Sequence, residues 1–198
     1  MSYTKLHTPA LVLSAHNVGE TSRTFALFTP LVGTIYAKAQ GVRELKSRHR
    51  FALQTFSCAD VSLVSGKGGW RITNATPTYS LYSEFARDPH KKRIAIRIVQ
   101  LLRRLITGEQ TDEQLFMLVT ESFDFLKRQE LTSQEIRALE VLIVLRILHL
   151  LGYVKEEEIF ESFLQDLTTL SKELLNTFFP FRIKAIRAIN VSLKASQL

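Results

Sequence analysis

The segment Gly41-Val42-Arg43-Glu44-Leu45-Lys46-Ser47-Arg48-His49-Arg50 sets four permanent cations, Arg43, Lys46, Arg48 and Arg50, within eight residues. Cations at that density, between two strand-like runs, suit a row of phosphates, because each neutralised phosphate releases condensed counterions. Just upstream, Tyr36 and Lys38 fall on one side of an alternating segment. A ring for stacking beside a cation for the backbone is the combination that single-strand binders use. A charge run alone reads as a solvated loop. The aromatic-basic strand beside it tilts the balance towards DNA or RNA.

Other residues offer weaker chemistry. Ser65-Gly66-Lys67-Gly68-Gly69 has the glycines of a phosphate-binding loop but lacks the upstream glycine, the hydroxyl after the lysine and a following helix. It is expected to be a hairpin turn, with Lys67 free to touch a nucleic-acid backbone and Arg71 on the strand beyond. Arg93, Arg97 and Arg104 fall along one polar stripe of a helical segment and are further candidates for DNA. Arg182, Lys184 and Arg187 stand among Phe178, Phe179, Phe181, Ile183, Ile186 and Ile189. Most of those apolar residues are expected to close a core, which leaves Arg182, Lys184 and Arg187 unexplained by it. The five histidines pair neither with one another nor with Cys58 at metal-ligand spacing, and a single cysteine excludes an internal disulfide and a cysteine-rich zinc site. Cys58 is expected to be a buried small residue, His149 a core residue, and Glu156-Glu157-Glu158 a solvated helix start. No nucleophile–base pairing is legible, so no catalytic residue, metal or cofactor is expected.

The charge is polarised. Residues 1–83 carry nine Lys/Arg against three Asp/Glu, and residues 87–104 carry seven against one. Residues 108–173 carry six against fourteen, so a basic end suited to a polyanion precedes an acidic middle that would repel one. The single cysteine and the lack of an apolar leader or of a long uncharged apolar run fit a cytoplasmic protein.

These residues must be positioned by two kinds of structure. Ile35, Ala37 and Ala39 alternate with Thr34, Tyr36, Lys38 and Gln40, and similar runs centre on Leu11–Ala15, Phe25–Leu27, Ala59–Leu63 and Trp70–Ile72. Five short strands separated by turn residues predict a small closed barrel, of which the nucleic-acid-binding type is the OB-fold. From Asp88-Pro89 the period becomes helical, with Ile94, Ile98, Leu101 and Leu105 on one stripe. Thr111-Asp112-Glu113-Gln114 and Thr132-Ser133-Gln134-Glu135 read as capping boxes. The second opens a helix, 136–151, apolar on nearly every face, as befits the centre of a bundle. Segments 156–164, 169–178 and 181–193 are plausible helices. The expected class is α+β: a five-stranded OB-fold barrel over residues 1–83, then an all-α domain over 84–198.

Ala10-Leu11-Val12-Leu13-Ser14-Ala15-His16-Asn17-Val18-Gly19-Glu20-Thr21-Ser22-Arg23, with Leu27-Phe28-Thr29-Pro30, resembles the opening of the RecO family of recombination mediators. So do Ala39-Gln40-Gly41-Val42-Arg43 and the run from Lys46-Ser47-Arg48 to Leu53-Gln54-Thr55-Phe56, together with Leu150-Leu151-Gly152-Tyr153 and, weakly, Leu193-Lys194-Ala195-Ser196. The resemblance implies a bacterial, nucleoid-associated protein that works without catalysis. It would bind single- and double-stranded DNA and anneal complementary strands. It would act with RecR and with the single-stranded-DNA-binding protein, whose acidic C-terminal tail is the partner peptide expected at Arg182, Lys184 and Arg187, to load the recombinase. Two departures stand out: Gln40 replaces a lysine common before the glycine, and Lys155-Glu156-Glu157-Glu158 follows Tyr153 where many members carry a zinc loop with cysteines. An OB-fold binder of RNA or tRNA, or a non-catalytic scaffold, would also fit the residues.

Overall fold

The computed structural model describes residues 4–106, 108–154 and 158–195. Lys155, Glu156 and Glu157 of the acidic segment, and Ser196, lie outside them. Five strands, β1 (Thr4–Val18), β2 (Ser22–Thr29), β3 (Gly33–Ala39), β4 (Ser57–Gly66) and β5 (Gly69–Ser80), close into a barrel in the order β1-β2-β3-β5-β4. Every neighbouring pair is antiparallel except β3 and β5, which run parallel at Ala37↔Trp70 and Lys38↔Arg71. A three-stranded meander closed by a parallel β3–β5 contact is the OB-fold.

Alternation decides what fills the barrel. Val12, Phe25, Leu27, Ile35, Ala37 and Val61 point inward and are essentially inaccessible. β1 departs from simple alternation, because Ala10 to Leu13 are all buried. A register shift between Val12 and Ser14 in the pairing with β2 moves the inward phase from Val12 to Ala15. Helix α2 (Pro89–Leu105) packs against β1, so this strand is covered on its outer side as well. The short α1 (Leu81–Glu84) joins β5 to α2. Asp88 caps α2 by accepting from His90 N at 2.9 Å and Lys91 N at 3.0 Å, with Pro89 at the first position.

Contacts divide the chain into residues 1–116 and 117–198, with α3 (Glu113–Arg128) spanning the division. Strands give way to helices between Ser80 and Leu81, three residues before the expected boundary at 83/84. Packing divides further along, because α2 shares its contacts with β1. Within the first unit, residues 108–116 lie along the barrel. Thr34 N donates to Gly108 O at 3.1 Å, and Phe28 and Phe116 pack with ring centroids 5.4 Å apart. Gly33, at φ +64°, tolerates this approach: a Cβ there would run into the backbone of Gln110. Thr111 does not cap α3 as its sequence suggests. Its hydroxyl donates to Leu31 O at 3.0 Å, and Asp112 takes the capping role by accepting from Leu115 N at 2.9 Å. The tertiary bond outcompetes the local one.

In the second unit, α4 (Ser133–Leu150) is the central helix, packed by α6 (Lys172–Phe178) and α7 (Arg182–Ala195). Its capping box forms as expected: Thr132 Oγ1 accepts from Glu135 N, and Glu135 Oε2 accepts from Thr132 N at 2.7 Å. That backbone bond holds the Glu135 carboxyl below the usual range. Between Glu158 and Leu164 the chain forms only a 3-10 turn and the single-turn α5 (Glu161–Leu164). No helix among the described residues is long and apolar enough to cross a membrane.

Candidate nucleic-acid interface

On the outer surface of β2 and β3, register places Ala26 opposite Tyr36 and Thr24 opposite Lys38. The lower part of that surface, Phe28 and Thr34, is closed over: both are buried, and Phe116 packs on Phe28. The upper part stays open. Tyr36 is 63 % exposed, and on β5 Arg71 pairs in register with Lys38. The barrel therefore brings Tyr36, Lys38 and Arg71 together: a ring and two cations on adjacent strands, with Ala26 too small to crowd the ring.

The basic loop leaves β3 at the end of the barrel that carries the β1–β2 turn. Arg43 is tied to that turn. Its backbone N donates to Thr21 O at 3.0 Å and its Nη1 to Gly19 O at 3.0 Å. Turn bonds from Glu44 N to Gly41 O and from Ser47 N to Glu44 O shape the middle, and Arg48–Arg50 form a 3-10 turn. Lys46, Arg48 and Arg50 are exposed, while Val42, Ala52 and Leu53 sink into the barrel core and anchor the loop at both ends. Of the four cations, Arg43 braces the loop, while Lys46, Arg48 and Arg50 stand exposed to solvent.

The other expected residues do not join this cluster. Lys67 is exposed at the tip of the β4–β5 hairpin, at the opposite end of the barrel, where the register runs through Gly66↔Gly69. Arg93, Arg97 and Arg104 are exposed on α2, which rests on β1, a strand not adjacent to β3 or β5. Along α2, Lys92, Arg93, Ile96, Arg97 and Gln100 line a shallow groove of about 330 Å³, and the Lys92 ammonium lies 4.5 Å from the Tyr82 ring centre. The first unit thus presents cations on more than one side.

In the second unit, Lys184 and Arg187 line a cavity of about 720 Å³ with Tyr153, Val154, Ile159, Ala188 and Val191. Arg182 does not line it. Its guanidinium lies over the Phe179 ring at 5.6 Å, and its Nε is buried. Phe178 is fully buried and Phe181 packs on Phe163, so these rings close the core. The lining by Tyr153, Val154 and Ile159 was missed because these residues approach α7 only through the fold. Cys58 is buried, and the described residues hold no group of three or more His, Cys, Asp or Glu placed to share a metal ion.

Residues 1–81 match the family described as recombination protein O, N terminal. The chain is 28% identical over 137 residues to the DNA repair protein RecO of Alkaliphilus metalliredigens, covering 69% of this chain and 55% of that protein. It is 26% identical over 155 residues to that of a Thermoanaerobacter strain, covering 76% and 59%. With the RecO of Desulfitobacterium hafniense it shares 29% over 147 residues, covering 74% and 52%. The chain thus spans between half and three fifths of the length of these relatives. An OB-fold barrel whose whole span matches the recombination protein O N-terminal family, continued by helices within the stretch aligned to RecO proteins, makes this chain similar to the DNA repair proteins RecO.

Proposed function

We propose that this protein binds single- and double-stranded DNA, anneals complementary strands and helps load the recombinase onto DNA coated by single-stranded-DNA-binding protein, without catalysing a reaction. The observation that carries this reading is the open Tyr36–Lys38–Arg71 face beside an anchored loop with three exposed cations. Bases stack on the ring while the cations follow the phosphates. Lys67 and the α2 stripe, Arg93, Arg97 and Arg104, extend the basic surface around the barrel. In this division of labour residues 1–83, extended by the α2 stripe, hold DNA, and the rest of 84–198 serves as a helical domain that meets protein partners. Those partners are RecR and the acidic tail of the single-stranded-DNA-binding protein, the latter at the groove edged by Lys184 and Arg187. A strand-annealing assay tests the proposal. The protein should accelerate pairing of complementary DNA strands, and should do so on strands precoated with single-stranded-DNA-binding protein. No acceleration, or tighter binding to RNA than to DNA at one salt concentration, would overturn it.

A further inference from the structure

Phe51 is 71 % exposed, the one exposed ring among the thirteen phenylalanines, all of which lie among the described residues. Its position is not that of a loose loop tip. The next two residues, Ala52 and Leu53, are buried in the barrel core, and Leu53 N donates to His49 O at 3.0 Å. The backbone is thus fixed immediately beside the ring, and the ring is held outward instead of joining the apolar cluster one residue away. Arg48 and Arg50 precede it, both exposed. A fixed ring standing among cations has the chemistry of a stacking platform: any base offers it a π-face, while neighbouring guanidinium groups meet the phosphates on either side.

We propose that Phe51 stacks on a nucleobase of single-stranded DNA, giving the loop a preference for unpaired over paired strands. The inference rests on the DNA-binding reading of the barrel. It assigns to the loop a role that phosphate contacts alone do not supply: a duplex keeps its bases stacked on one another and leaves the ring without a partner. Charge complementarity admits this occupant, and the open Tyr36, Lys38 and Arg71 face on the same barrel favours it. A membrane surface, which also attracts cations beside exposed apolar side chains, is the competing one.

The test uses the full chain, an oligo(dT) strand carrying a single 2-aminopurine, the matching duplex, and vesicles containing anionic phospholipid. Phe51→Ala and Phe51→Leu should each weaken single-strand binding by roughly 5- to 150-fold, the range for loss of one stacked base. They should leave duplex affinity within about twofold and the salt dependence unchanged, since no counterion is released by stacking. Phe51→Tyr should retain both affinity and 2-aminopurine quenching. Leu45→Ala removes a still more exposed apolar side chain that has no π-face, and should change little. Because Phe51 is exposed, unchanged thermal unfolding is expected for all variants. Wild-type affinity in Phe51→Leu would show apolar contact in place of stacking and overturn the proposal, as would a loss confined to vesicle binding. If the wild-type protein binds no single strand, the DNA-binding reading falls too. If it binds and Phe51→Ala matches it, only the stacking role falls.

Discussion

Arg146 shows how one residue can settle a local fold. It interrupts an apolar run, yet it is buried to 1 % exposure on α4. Its Nε donates to Phe163 O at 2.9 Å, and its Nη1 to Leu167 O at 3.0 Å and Thr169 O at 2.9 Å. The guanidinium thereby satisfies one carbonyl at the single-turn α5 and two in the irregular stretch after it. Burial pulls its pKa down to about 10, opposed by the nearby charge of Asp166. Asp166 in turn accepts hydrogen bonds from Thr169 and Thr168, which hold its carboxyl at about 2. Arg146→Ala should leave the three carbonyls unpaired and destabilise the chain by about 3–5 kcal/mol, less where water enters. Urea denaturation measures this, and a loss under about 1 kcal/mol would show that the segment stands without it. The folded Asp166 pKa lies below its ordinary value, so its stabilising contribution is present above about pH 4 and fades as pH falls towards 2. Acid unfolding of Asp166→Asn should lack that portion of the pH dependence.

At the scale of elements, the basic loop differs from a solvated charge run by its anchors. Val42 and Leu53 are buried, and Arg43 is spent partly on the β1–β2 turn. Replacing Lys46, Arg48 and Arg50 by Ala should flatten the plot of log affinity against log salt by roughly 2 units, since each phosphate contact contributes about 0.7–0.9. Adding Arg43→Ala should flatten it by roughly 3 if that guanidinium also reaches a phosphate, and by no more than the triple variant if it only braces the turn. An unchanged slope in the triple variant would move the binding site to the α2 stripe of Arg93, Arg97 and Arg104.

For the whole molecule, the uneven charge along the chain becomes surfaces of different kinds. The barrel unit carries cations on several sides, and the helical unit pairs acidic segments with one cationic groove. Arg182 is half-buried beside Phe179, so reversing it would disturb packing. Lys184→Glu with Arg187→Glu is the cleaner change, because both side chains are exposed and line the groove. This double variant should weaken binding of an acidic, apolar C-terminal peptide from single-stranded-DNA-binding protein at least tenfold in a fluorescence-anisotropy titration. Binding to naked DNA should stay within about twofold. Equal loss of both would show that the helical and barrel surfaces do not divide the work.

Much of this was written in short-range pattern. The alternation of Ile35, Ala37 and Ala39 determined which side of β3 faces the core, and Thr132 with Glu135 determined where α4 starts, because both depend on neighbours within a few residues. The basic loop was legible for the same reason. What local pattern could not decide was set by contacts distant in sequence. Thr34 alternates with Ile35 as if exposed, but the segment at Gly108 covers it. Thr111 has the sequence of a cap but bonds Leu31 instead. Arg71 joins Lys38 only through the parallel β3–β5 register, which periodicity does not encode. Lys184 and Arg187 gain an apolar groove only where Tyr153, Val154 and Ile159 pack beside α7. The sequence alone determined most of the elements and the inward faces of β2 to β5, because side-chain direction follows backbone period, whereas in β1 a register shift after Val12 set the inward face. Tertiary structure decided which outward residues remain open to a ligand, because exposure depends on what another part of the chain brings to cover them.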